Sequence, residues 1–120
     1  MKFALNYSPQ AVRLLAEGRI ARAWLGIGLQ PVQIPDSFHQ VAGRESGLMV
    51  VGLAGGGPAE TAGILPGDIV LDIDGSAISR LRGLSALLGP DRIGQTAALR
   101  VLRAGAVQAI NVTIAARPAA

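Results

Sequence analysis

The chain has 120 residues, half of them hydrophobic and 16% charged, which suits one domain of about 100–200 residues and is too apolar for a disordered tail. The absence of cysteine and the single histidine, His39, exclude disulfides, Cys-based zinc sites and thiol nucleophiles, and argue against a His-containing metal cluster. All but one of the 11 basic residues are Arg, the net charge is only +3 and aromatics make up 3%, so neither a basic stripe nor a stacking platform for nucleic acid is present. In chain order, Ser8-Pro9 opens a predicted helix, with Ser8 as N-cap, Ala11, Val12, Leu14 and Leu15 as the apolar stripe and Gly18 as the stop. Trp24 to Val32 reads as a strand preceded by a glycine loop, and Pro31 places it at a sheet edge because proline cannot donate to a ladder. Pro35 to Ala42 carries a weak helical signal.

Leu48-Met49-Val50-Val51 is a short apolar run bounded by glycine, expected as a strand buried on both faces. Ala54 to Gly57 is a loop, and Pro58 to Ala62 a short helix closed by Gly63. A strand is predicted over Ile69 to Gly75, ending in the tight-turn pair Asp74-Gly75. Arg80 to Leu88 has Leu81, Leu84 and Leu88 at i, i+3 and i+7, an amphipathic helix stopped by Gly89-Pro90. Strands over Ala97 to Arg103 and Val107 to Ala115 flank a hairpin turn at Ala104-Gly105. The expected fold is α+β, with five or six strands and two main helices.

No run approaches the about 20 apolar residues of a membrane span, and nothing suggests insertion. Met1 to Tyr7 has one basic residue but neither a continuing apolar stretch nor a small-residue cleavage site, so no signal peptide is read there.

Trp24-Leu25-Gly26-Ile27, followed by Gly57-Pro58-Ala59-Glu60-Thr61-Ala62-Gly63-Ile64-Leu65-Pro66-Gly67-Asp68-Ile69-Val70 and Ile73-Asp74-Gly75, resembles the bacterial PDZ domain. More narrowly, it resembles the PDZ domain of the HtrA/Deg (DegP-like) family of trypsin-like serine proteases. Gly57 stands where that family commonly has Ser, and the Arg103-Ala104-Gly105 turn is similar to the family's closing hairpin. The resemblance covers residues 19–116 and implies a PDZ-like, partly open barrel or sandwich. Residues 1–18 are similar to the end of a protease domain (Phe3-Ala4-Leu5) and a linker helix, with Asn6 where proline is usual; residues 117–120 read as a flexible tail.

A small residue between bulky ones at Leu25-Gly26-Ile27 lets consecutive N–H groups turn inward as a nest for a carboxylate. In the family that nest takes a peptide's C-terminal carboxylate, which assigns the donors here to the backbones of Leu25, Gly26 and Ile27. The peptide then adds as a strand along Ile27, Gly28 and Leu29. The expected specificity pocket is Leu25 and Ile27 facing Leu81, Leu84 and Leu88, which favours small and medium aliphatic C-terminal residues; two of the three helix leucines serving only as core is an equal alternative. Arg22 and Arg19 either assist the carboxylate through water or are solvated surface residues.

No cofactor is implied. Gly26-x-Gly28 lacks the third glycine and the helix of a dinucleotide fingerprint. Asp72 and Asp74 share a strand face without a third oxygen ligand; the turn accounts for Asp74 and solvent exposure for Asp72. Asp36, Ser37 and His39 are too close in sequence for a triad and read as a polar surface loop, so no catalytic residue is assigned and the chain is not expected to be an enzyme. The resemblance implies a periplasmic or cell-envelope parent, a homo-oligomeric serine endopeptidase built on trimers, with C-terminal peptides and its own protease domain as partners. A PDZ scaffold module of a secretion component or intramembrane metalloprotease is the alternative. Self-association through the open sheet edge, or occupancy of the groove by a tail ending Pro118-Ala119-Ala120, also stays open.

Overall fold

The computed structural model describes residues 23–118. The helix expected over 8–18, Arg19, Arg22 and the end of the tail lie outside them. Eight strands are described: β1 (Ala23–Trp24), β2 (Ile27–Gln33), β3 (Ser46–Leu53), β4 (Ile69–Ile73), β5 (Ser76–Ala77), β6 (Thr96–Arg103), β7 (Ala106–Thr113) and β8 (Ala115–Ala116). The helices are α1 (His39–Ala42), α2 (Pro58–Ala62) and α3 (Leu81–Leu87), with 3-10 turns at Asp36–Phe38 and Pro90–Arg92. One antiparallel sheet has the order β2-β3-β4-β6-β7 with β5 beside β4, and β1 pairs with β8 in a separate ribbon. This is the expected α+β architecture, with an open sheet and three short helices.

Turn chemistry sets the hairpins. Asp74 and Gly75 have φ of 51° and 84°, and Ala104 and Gly105 have 51° and 80°, so both two-residue turns are left-handed throughout, the pattern that matches strand twist. Asp tolerates this region through local hydrogen bonding, whereas Ala104 occupies it with no such relief. The Asp74-Gly75 turn ends β4 at Ile73, two residues before the predicted limit.

Burial corrects two expectations. β3 is not buried on both faces: Leu48 and Val50 are buried, Met49 is half-buried and Val51 is 54% exposed. The doubly buried strand is β4, between β3 and β6. Its Val70 and Ile73 join the main core with Leu25, Leu48, Val50, Leu99 and Val112, while Leu71 packs against Ile34, Ala42 and Leu102 on the opposite face.

Asp72 is not solvent-exposed but 4% accessible. Its Oδ2 accepts from Arg44 at 3.2 Å and from Arg100 Nε at 2.7 Å, so two guanidiniums share one carboxylate. The β4 position is covered by its neighbours, and a charge there persists because it is paired. Asp68, 2% accessible, forms a two-pronged pair with Arg103, whose Nε donates to Oδ1 at 2.8 Å and Nη2 to Oδ2 at 2.6 Å; the Leu65 N–H also donates to Oδ2. Arg103 reaches the Gly63 carbonyl at 2.9 Å as well, tying β6 to the end of α2. Hydrogen bonds to these carboxylates hold Arg100 and Arg103 still further in their charged forms.

Candidate functional site

The loop between β1 and β2 turns at Gly26, whose φ of +70° a side chain would strain. A Cβ there would lie 3.2 Å from the Trp24 indole, 3.3 Å from Ala54 and 3.3 Å from the Pro58 ring. Glycine is thus required by backbone conformation and by the wall behind it. Two hydrogen bonds fix which way the loop faces: the Leu25 carbonyl accepts from the Ala59 N–H at 2.9 Å, and the Gly26 carbonyl from the Ala54 N–H at 2.9 Å. Both carbonyls are spent on the β3–α2 connection and the start of α2. Among the described residues, the N–H groups of Leu25 and Gly26 donate to nothing, although both residues are buried. Backbone N–H groups are obligatory donors, so this pair is available to an acceptor from outside the described residues.

The register of β2 on β3 extends the same edge. Ile27 pairs with Leu53 while Ala54 N–H bonds Gly26 C=O, which makes Ile27 and Leu53 a non-hydrogen-bonded pair. At the other end, the Ile34 N–H to Glu45 carbonyl bond at 2.8 Å makes Gln33 and Ser46 another such pair, and counting back by twos reaches Pro31 and Leu29. Ile27 and Leu29 therefore present their N–H and C=O groups to the free edge. Gly28 directs its own toward β3, opposite Gly52, with a register shift immediately after it.

Side chains at the edge are apolar. Leu25 is buried, and Ile27 and Leu29 are half-buried against the main core. Leu84 on α3 and Leu88 at its C-cap pack against that core, as does Leu87, which the i, i+3, i+7 reading passed over. Leu81 is 48% exposed at the start of the helix, on the flank of the core-facing stripe. The pattern 81, 84, 88 and the pattern 84, 87, 88 fit the same sequence, and only packing against the sheet chooses between them. α3 packs beside β2.

The residues that brace the loop, Trp24, Ala54 and Pro58, were not among the expected site residues. Their signal was the Gly57-Pro58-Ala59 start of α2, where Pro occupies the first turn and Ala59 supplies the N–H that anchors Leu25. Elsewhere, Asp36 and Ser37 are exposed, while His39 Nε2 bonds the Ile34 carbonyl at 2.6 Å, so the polar 36–39 segment closes a turn at the surface. Asp74 Oδ1 accepts from the Ala98 N–H at 2.8 Å and Oδ2 pairs with Arg92 at 2.7 Å. Those bonds, first from Ala98 and then from Arg92, hold its carboxyl below the usual range.

A family described as "PDZ domain" matches residues 24–114. A "Probable periplasmic serine endoprotease DegP-like" of Marinomonas sp. (strain MWYL1) is 33% identical over 108 residues, which is 88% of this chain and 23% of that protein. The protein of the same name from Brucella suis is 34% identical over 106 residues, 88% of this chain and 21% of its own length. The chain thus spans less than a quarter of these relatives. Among solved structures, "HtrA-type protease AlgW with decapeptide" superposes with a TM-score of 0.72 at 28% identity, covering 91% of this chain and 34% of that one. The HtrA3 PDZ domain bound to a phage-derived ligand (FGRWV) shares the fold, with a TM-score of 0.62 at 20% identity over 81% of this chain and 88% of that one.

Proposed function

The chain belongs to the PDZ domain family, in the form found in HtrA-type, DegP-like serine proteases, and we propose that it binds the free C-termini of protein substrates for such a protease. The observation that carries this reading is the pair of N–H groups at Leu25 and Gly26 that have no acceptor among the described residues, set at the end of a strand edge whose open groups belong to Ile27 and Leu29. A carboxylate needs several donors converging from one side, and backbone amides supply them without a charged side chain. The peptide's C-terminal oxygens sit on Leu25, Gly26 and Ile27, and its chain runs antiparallel to β2. Its last side chain enters the space between Leu25, Ile27 and α3. There the exposed Leu81 supplies contact surface, while Leu84 and Leu88 form the floor. The decapeptide on the AlgW protease and the phage-derived ligand on the HtrA3 domain support this reading.

In the intact parent, a periplasmic endopeptidase assembled as a homo-oligomer, the domain tethers substrates or biases the attached protease toward activity. Trp24 is the chain's single Trp and lies against Gly26, so its fluorescence reports on the loop. Titrating this chain with matched peptides ending in a free carboxylate or an amide tests the reading. Amidation is expected to weaken binding about tenfold or more, the roughly 1.4 kcal/mol of one lost charge-assisted hydrogen bond. Equal binding of the two forms refutes the assignment of the nest.

A further inference from the structure

Pro31 sits at an outward-facing position of β2, two residues beyond Leu29, and has no N–H to offer. Strand addition along this edge therefore misses a donor at Pro31, between the outward-facing N–H groups of Leu29 and Gln33. With alternate peptide residues facing Ile27, Leu29 and Pro31, the residue opposite Pro31 is about the fifth from the peptide's C-terminus. At that point the ladder is interrupted, and a trough lies beside it. A cavity of about 310 Å³ is lined by Pro31, Val32, Gln33, Ser46, Ser79 and Arg80, between the far half of β2 and the residue that begins α3.

Arg80 is the one charged residue of that lining. It is exposed, and among the described residues it has neither an ion pair nor a side-chain hydrogen bond, unlike Arg44, Arg92, Arg100 and Arg103. Ser46 and Ser79 continue the trough into a second cavity of about 410 Å³ that holds both Arg44 and Glu45. Mixed charge there confines any readout of sign to the first trough.

We propose, resting on the peptide-binding reading above, that this trough is an upstream subsite of the same groove, in which Arg80 selects an acidic residue about five to seven positions from the ligand's C-terminus. Proline interrupts the sequence-blind backbone pairing, and the guanidinium beside the gap supplies sequence preference. The domain thus reads two features of a substrate tail, a free end with an aliphatic terminal residue and a carboxylate side chain upstream.

The test uses octapeptides that share one C-terminal tripeptide and carry Asp, Ala or Lys at the upstream positions, titrated against this chain at low and high salt. The Asp peptide is expected to bind about two- to fivefold more tightly than the Lys peptide, the yield of an exposed ion pair, and the gap is expected to close as salt rises. Arg80→Ala levels the series and Arg80→Glu reverses it, while the tripeptide alone binds wild type and both variants equally. Equal binding of the Asp and Lys peptides to wild type, or an acidic preference that survives Arg80→Glu, overturns the subsite. Failure of the tripeptide to distinguish free acid from amide falls on the carboxylate nest instead, so the two failures are separable.

Discussion

Replacing Gly26 with valine puts both the conformation and the wall of the loop under load. A side chain at φ of +70° costs about 1–2 kcal/mol, and more for a β-branched residue. The first added atom would meet Trp24, Ala54 and Pro58 at 3.2–3.3 Å, a crowding that in packed interiors costs about 1–3 kcal/mol. If the loop kept its shape, the variant would lose about 2–5 kcal/mol, or about 8 °C or more in melting temperature for a domain of this size. Rotating Gly26 out of the left-handed region relieves both terms but turns the Leu25–Ile27 amides away from one another. Either route lowers stability or binding, so melting and tryptophan-monitored titration with a free-carboxylate peptide are read together. The expected result is loss of measurable peptide binding, with a melting temperature between wild type and the rigid-loop limit. Gly52→Ala is the control: it lies opposite Gly28, has no positive φ, and its Cβ would meet nothing within 4 Å. A Gly26→Val protein that melts within a degree or two of wild type and binds the peptide normally would refute the reasoning.

Gly47→Ala is expected to cost about 1–3 kcal/mol in denaturant unfolding, because its Cβ would lie 2.8 Å from the Val70 backbone oxygen and 2.7 Å from Ile69; an unchanged midpoint would mean β3 and β4 separate there at no cost. In the buried pair, Arg103→Leu strands the carboxylate of Asp68 and is expected to cost about 3–5 kcal/mol. Asp68→Asn leaves a guanidinium that reaches water and costs about 1–3 kcal/mol, so the reverse order in urea denaturation counts against the pair as described. Because Asp74 is held below its ordinary pKa, its contribution to stability is complete above the unfolded value near 4 and is lost as pH falls through the lower folded value. Asp74→Asn is therefore expected to melt below wild type at neutral pH and to converge on it in acid; a gap that is constant with pH contradicts that assignment.

Punctuation in the sequence located most elements, since Gly63, the Asp74-Gly75 and Ala104-Gly105 pairs and Pro58 act through local backbone geometry. The same locality made the Leu25-Gly26-Ile27 loop legible: a glycine between two bulky residues at the entrance to a proline-containing strand announces an unusual turn and a free edge. What the sequence left open was every choice that depends on a partner across space. Asp72 reads as a surface carboxylate until β6 and the loop after α1 bring Arg100 and Arg44 to it. An apolar run such as Leu48-Met49-Val50-Val51 does not say which strand is sandwiched, because that follows from sheet order, and the order places β4 centrally with β3 beside the edge strand. Nor can helical spacing distinguish Leu81 from Leu87, two leucines on opposite flanks of one stripe. By itself the sequence determined an α+β domain with a glycine turn at the entrance to an edge strand, because turns, caps and prolines are decided within a few residues. Only the tertiary structure decided which amides of that loop lack a partner among the described residues, that Arg80 lines a trough unpaired among those residues, and which β2 positions face the free edge. Those are differences between what each group offers and what its distant neighbours take.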